Sequence, residues 1–147
     1  MEDVFDYIVI GGGSGGVASA NRAAMHGAKV LLVEKSRMGG TCVNVGCVPK
    51  KIMWTAAHLN HCHHELSFYG FENTSSPKFN WSTLKKNRDA YITRLNKLYF
   101  QNLENNEVEV LQGNAKFIDQ NTIIVDQKKY AGKKILIAVG GRPITPS

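Results

Sequence analysis

Cys42 and Cys47 stand five positions apart in the segment Gly39-Gly40-Thr41-Cys42-Val43-Asn44-Val45-Gly46-Cys47-Val48-Pro49-Lys50. A disulfide between residues this close closes a small ring, and a small, strained or exposed disulfide is easier to reduce than a buried structural one. The residues from Cys42 onward read as a helix, so the pair sits at a helix start. The positive end of that helix and nearby Lys50 both favour thiolate, which lowers a thiol pKa. Metal ligation is the competing chemistry. Zinc normally takes four ligands, drawn from two close Cys or Cys/His pairs. His58, His61, His63 and His64 lie downstream with Cys62 among them. On a helix His58 and Cys62 share a face, whereas His61 and Cys62 do not. With no second close Cys pair, the expectation is an exposed histidine-rich helix, Cys62 as a packed thiol, and no metal site.

A second segment able to do chemistry is Gly11-Gly12-Gly13-Ser14-Gly15-Gly16. Gly11, Gly13 and Gly16 fit the dinucleotide fingerprint: one glycine for the turn, one for approach of backbone to a pyrophosphate, one for close helix–strand packing. The following helix start offers free N–H groups to phosphate. The match alone is weak, but it follows a strand, opens a helix, and is followed by Glu34 at the end of the next strand. A carboxylate there accepts hydrogen bonds from both ribose hydroxyls. It also repels a 2′-phosphate, so the site suits FAD or NAD better than NADP.

The elements that must position these groups follow from pattern. Val4–Ile10 reads as a buried strand, Val17–His26 as a helix stopped by Gly27, and Lys29–Val33 as a second strand, together a βαβ unit. Lys35–Thr41 is a loop. The helix after Cys42 runs through Ile52, Met53, Ala56, Ala57 and Leu59, with Pro49 near its start or at a kink. Gly70–Lys78 is a loop. Ser82 caps a long helix whose apolar stripe is Leu84, Tyr91, Leu95, Leu98 and Leu103. Glu107–Leu111, Ala115–Ile118 and Thr122–Val125 are short strands, and Lys134–Val139 is a last buried strand. The fold class is α/β: a Rossmann-like domain with a parallel sheet, a helical insertion and a small β-meander.

The 147 residues suffice for one compact domain. The net charge of +6 is spread in short pairs such as Lys50-Lys51 and Lys133-Lys134, which argues against a dedicated nucleic-acid surface. No apolar run reaches the roughly 18 residues of a membrane span. The start lacks the basic and long apolar regions of a signal peptide, so a reducing cytoplasm is the expected compartment. Three cysteines in that setting point to redox chemistry or metal binding rather than structural crosslinks.

Gly39 to Lys51 (GGTCVNVGCVPKK) resembles the active-site signature of class I pyridine nucleotide-disulfide oxidoreductases. The glycine fingerprint and Lys133–Pro143 (KKILIAVGGRP) are similar to two further motifs of that family, in the expected order, so the resemblance covers essentially the whole chain. Pro49-Lys50-Lys51 is similar to the glutathione, trypanothione and large thioredoxin reductases. Met53-Trp54, Phe79-Asn80-Trp81, Arg88-Asp89-Ala90-Tyr91 and Arg94-Leu95-Asn96 look most like the glutathione-reducing branch.

The resemblance implies that the chain binds FAD and that Cys42 and Cys47 form a redox-active disulfide. Cys47 contacts the flavin and Cys42 attacks the substrate disulfide. Lys50 lies near the flavin's reactive nitrogen, with Thr41 beside the ring. Ser14 and Gly15 hold the pyrophosphate and Glu34 the adenosine ribose. Ala115 meets adenine through its backbone, and Ala138 and Gly140 belong to a second FAD motif. Tyr99 lines the glutathione site. NADPH is the implied electron donor and glutathione disulfide the implied substrate, with no membrane or nucleic-acid partner. NADPH-binding and interface domains, the latter supplying a His–Glu pair across a homodimer, are expected outside residues 1–147, which form the N-terminal FAD-binding portion. Turnover is not expected from this portion alone.

Three positions depart from the pattern. Asn21 stands where an arginine helps bind a glutathione carboxylate, Val139 where Thr is usual, and Asn114 where His is common. Asn21 keeps open a related reductase acting on thioredoxin or trypanothione. A non-enzymatic nucleotide- or metal-binding module is the further alternative.

Overall fold

The computed structural model describes residues 3–72, 75 and 77–146. Of the expected loop Gly70–Lys78, positions 73, 74 and 76 lie outside the described residues. The elements are β1 (Asp3–Ile10), α1 (Ser14–Met25), β2 (Val30–Glu34), α2 (Gly40–Asn44), α3 (Cys47–Glu65), a 3-10 turn over Leu66–Tyr69, α4 (Trp81–Asn105), β3 (Glu109–Gln112), β4 (Lys116–Phe117), β5 (Thr122–Val125) and β6 (Lys128–Ile137).

One six-stranded sheet in the order β3-β2-β1-β6-β5-β4 carries the molecule. β3, β2, β1 and β6 run parallel, and β4 and β5 return antiparallel. The apolar strands β1 and β2 are central, as expected of strands covered on both faces. Val9, Val30 and Leu32 pack on one face with Val17 and Ala20 of α1 and Leu103 of α4. Phe5, Ile8, Leu31 and Val33 pack on the other with Ile123 and Val125 of β5 and Tyr130 of β6.

The α/β class holds, and several boundaries differ from those read in the sequence. The small meander is part of the main sheet, because β6 is long enough to pair with β1 along its length and with β5 along its first half. Residues 128–133 are rich in lysine and do not read as strand, yet Tyr130 and Gly132 alternate inward there while the lysines face out. A two-residue turn with positive φ at Asp126 (47°) and Gln127 (68°) joins β5 to β6, the backbone hand that suits a twisted hairpin. Helix α1 begins at Ser14, ahead of the expected Val17. Glycine is a poor helix former, but Val17 N–H closes the first turn on the Gly13 carbonyl at 2.9 Å. The helix expected from Cys42 is two helices, α2 and α3, broken at Val45–Gly46. Pro49 falls in the first turn of α3, where its missing N–H costs no hydrogen bond. The cap of α4 is Asn80, whose side chain accepts from Thr83 N–H at 3.0 Å, and not Ser82.

The stripe of α4 keeps the expected Leu103 but buries Ile92 in place of Tyr91. Ile92 and Leu103 are its buried residues, and Tyr91 is 44% exposed. Asn96 and Tyr99 lie between them at helical spacing, both half-buried. Among the described residues no helix is long and apolar enough to cross a membrane.

Candidate functional site

The glycine turn between β1 and α1 is built by close approach. A Cβ on Gly16 would land inside the van der Waals radius of the Gly11 carbonyl oxygen, so only glycine lets α1 sit this near the turn. Gly11 N–H donates to Val33 O at 2.8 Å, and Ala138 N–H donates to Ile10 O at 2.8 Å. The end of β6 is thereby drawn against the same turn. No side chain caps α1 and no acidic residue occupies its first turn. Ser14 and Gly15 are exposed there, and a Cβ on Gly15 would meet open space. Uncapped N–H groups at the positive end of a helix are suited to a phosphate.

Glu34 closes the site from β2. Its two carboxylate oxygens accept from Gly12 N–H at 2.6 Å and Ser36 N–H at 2.7 Å. Each oxygen keeps a lone pair for a further donor, so the fixed carboxylate remains able to receive a ribose hydroxyl.

The cysteine loop docks on this turn. Gly39 N–H donates to Gly12 O at 2.7 Å. A Cβ on Gly40, whose φ is 60°, would come within 2.7 Å of Gly13 Cα. Met38 fills the space beneath, fully buried. Two asparagines hold the loop from the other side. Asn44 Nδ2 donates to Gly40 O at 2.9 Å and Met38 O at 3.1 Å. Asn96 Nδ2, from α4, donates to Met38 O at 2.7 Å and Asn44 Oδ1 at 3.1 Å. Neither asparagine belongs to the site expected from the sequence. The available signal is a polar Asn96 in phase with Ile92 and Leu103, on a face that is otherwise apolar.

Cys42 is the third residue of α2 and Cys47 the first residue of α3, so each lies in the first turn of a different helix. Cys42 is half-buried, Cys47 exposed, and both are free thiols. The Cys42 thiol is pushed above its ordinary value, first by its hydrogen bond to Cys47, then by burial and by negative charge on Cys47. That corrects the expectation of a lowered thiol pKa at Cys42.

Lys50 is exposed one turn after Cys47 and lines an open cleft of about 720 Å³ with Arg37, Asn44, Met53 and Arg88. Thr41 is exposed next to Cys42, and Gly140 is exposed just past β6. The structure thus draws Gly11–Gly16, Glu34, the Cys42 loop and Ala138 together. Two further expected site residues, like Ala138, border the core clusters. Ala115 lies half-buried against the second cluster with Ile10 and Leu111. Tyr99 packs half-buried against the first cluster, one turn after Asn96. Asn21 Oδ1 accepts from Asn106 Nδ2 at 2.8 Å, tying α1 to the end of α4.

The chain matches the pyridine nucleotide-disulphide oxidoreductase family over residues 5–147. It belongs to this family. Among curated relatives, glutathione reductase of Schizosaccharomyces pombe is 52% identical, covering 100% of the chain and 33% of the relative. Glutathione reductase of Debaryomyces hansenii is 49% identical over 97% of the chain and 34% of the relative. That of Yarrowia lipolytica is 47% identical over 97% of the chain and 33% of the relative. The chain therefore spans about a third of the length of these curated relatives. Family membership agrees with the α/β sheet and with a turn-and-loop site in which a phosphate-type cradle and a cysteine pair are neighbours.

Proposed function

We propose that this chain is the flavin-binding, dithiol-bearing part of an NADPH-dependent glutathione-disulfide reductase. The observation that carries the reading is the seating of the cysteine loop on the glycine turn through Gly39 N–H and Gly12 O at 2.7 Å. That contact, which joins the Cys42 loop to the glycine turn, supports reading the two as one redox and dinucleotide site. FAD fits the residues present: the open helix start at Ser14 and Gly15 suits its pyrophosphate, and the anchored Glu34 carboxylate suits its ribose. Thr41, Cys47 and Lys50 would face the ring, with Ala138 and Gly140 bordering it and Ala115 reached by the adenine. When bound, FAD supplies the electron pair, taken from NADPH, that reopens the Cys42–Cys47 disulfide.

The chain's own residues then carry the exchange. Cys42, once deprotonated, attacks one sulfur of the substrate disulfide, and the other sulfur leaves as thiolate and takes up a proton. Cys47 thiolate attacks Cys42 Sγ, the second substrate thiol leaves, and the pair ends as a disulfide. The proton held on Cys42 has to be removed before the first attack. A His–Glu pair contributed across a homodimer, as the resemblance implies, would serve as that base. NADPH-binding and interface domains belong to this reading as further parts of the enzyme, and a cytoplasm that keeps thiols reduced is its compartment.

Asn21 favours keeping a second substrate reading. Engaged with Asn106, and without a cationic group, it offers no charge partner to a glutathione carboxylate. The test is NADPH oxidation by the full-length enzyme with glutathione disulfide, trypanothione disulfide and oxidised thioredoxin in turn. Preference for glutathione disulfide is expected. Preference for either of the others would overturn the substrate, and a purified protein without stoichiometric flavin absorbance would overturn the whole reading.

A further inference from the structure

The proposed chemistry uses Lys50 and leaves the rest of the cleft between α3 and α4 unassigned. The volume of that cleft, about 720 Å³, is usual for a small-molecule site. Its charged lining is Arg37, Lys50 and Arg88, with Asp89 as the one carboxylate. Asp89 is already matched: Oδ2 accepts from Lys85 Nζ at 2.7 Å, and Oδ1 from Arg88 Nε at 2.9 Å and Nη2 at 2.7 Å. Among the described residues no carboxylate pairs with Arg37 or Lys50. The cleft therefore holds positive charge that its own walls do not balance. None of Gly11–Gly16 or Glu34 lines it, so it is distinct from the glycine-turn cradle.

Arg88 is held in advance of any ligand. Asp89 fixes two of its three nitrogens, and its side chain is 19% exposed. The third nitrogen, Nη1, faces Met53 Sδ at 3.8 Å, from α4 to α3. A thioether is a weak acceptor, so this nitrogen lacks a strong partner in the cleft wall. A guanidinium fixed in this way binds an oxyanion with little further loss of side-chain freedom. Val45, Pro49 and Ile92 give the cleft apolar lining, which lowers the local dielectric and strengthens a charge contact. We propose that the cleft between α3 and α4 binds a small, multiply charged anion of the phosphate-ester or diphosphate class, held by Arg37 and by Nη1 of Arg88. A phosphate ester carries nearly two negative charges at neutral pH, which matches the uncompensated cations; a single carboxylate carries one. The site is separate from the proposed flavin cradle and does not depend on the flavin reading.

The test titrates inorganic pyrophosphate into the full-length enzyme with FAD and NADP⁺ saturating, so that dinucleotide sites are filled. Equilibrium dialysis reads stoichiometry and affinity. One equivalent of pyrophosphate is expected, bound more weakly as salt rises. Arg37→Gln and Arg88→Met should each weaken binding about tenfold or more, the usual worth of a hydrogen bond to a charged group. Lys86→Gln removes the same charge from an exposed position of α4 outside the cleft, and should change nothing. Circular dichroism checks folding, and Arg37 is exposed, so its variant decides the matter if Arg88→Met does not fold. No binding with the dinucleotide sites filled would overturn the proposal. Undiminished affinity in Arg37→Gln would do so too, as would an equal loss in Lys86→Gln.

Discussion

At the scale of single residues, the site depends on contacts that admit one atom fewer than usual. Gly16 and Gly15 are adjacent in the same helical turn, and the space around them differs. Gly16 faces the Gly11 carbonyl, and Gly15 faces open space. Gly16→Ala should cost about 3 kcal/mol or more, since overpacking a rigid backbone contact lies at the upper end of such effects. Gly15→Ala should leave stability unchanged or raise it by about 0.5–1 kcal/mol, the usual helix preference for alanine. Denaturant unfolding of the two variants checks both signs. The cysteine pair provides a second prediction. The Cys42 thiol is held above its ordinary value chiefly by its hydrogen bond to Cys47. Cys47→Ala removes that bond and the neighbouring charge, so the midpoint of Cys42 alkylation against pH should move to lower pH. A midpoint that stays or rises would show that Cys47 is not the cause.

At the scale of elements, the loop bearing Cys42 is clamped between the glycine turn and α4. The Asn44–Asn96 pair holds that clamp through hydrogen bonds to the Met38 and Gly40 carbonyls and to each other. Asn96→Ala leaves the Met38 carbonyl short of a donor and Asn44 Oδ1 without one, a loss of about 1–3 kcal/mol for a half-buried polar group. Asn80→Ala removes only the cap of α4, about 1 kcal/mol. In the flavin-binding reading, Asn96→Ala should also speed flavin loss and Asn80→Ala should not. Flavin release followed by fluorescence, alongside unfolding curves, separates the two; equal release would sever the clamp from the cofactor site. The sequence showed α4 as a helix because its apolar residues recur at helical spacing. It did not show that Ile92 rather than Tyr91 is buried in line with Leu103, since both positions are compatible with the helical period. The loop from Met38 to Gly40 decided between them, by offering Asn96 a carbonyl.

At the scale of the whole molecule, the two edges of the central strand are tied by charge as well as by the ladder. Asp6 accepts from Lys133 Nζ on β6 at 2.7 Å and from Lys29 N–H before β2 at 2.9 Å. Its carboxyl is held below the usual range, first by Lys133 and then by the Lys29 amide. Asp89 is lowered by Lys85 and then Arg88, and Asp119 by the Asn121 amide and then Thr122. A carboxylate with a lowered folded pKa stabilises the fold above its unfolded value, and that contribution is lost as pH falls through the folded value. Melting temperature should therefore decline below about pH 4, and Asp6→Asn should flatten part of the decline. All three groups are solvent-exposed, so salt should weaken the effect. A decline unchanged in Asp6→Asn would assign it to other carboxylates.

The sequence by itself determined the strands β1 and β2, the glycine turn and the cysteine pair, because each rests on local chemistry. Four consecutive apolar residues, a glycine spacing and two nearby thiols mean much the same wherever the chain takes them. It also determined the family through motifs that span the whole chain. The tertiary structure decided what depends on approach between distant segments. It merged the meander into the main sheet through a lysine-rich strand that has β1 and β5 as neighbours. It split the cysteine helix at Val45–Gly46, so that the two thiols sit in separate helices. It set Asn96 on Met38 across 58 positions of sequence, a contact that no local period contains.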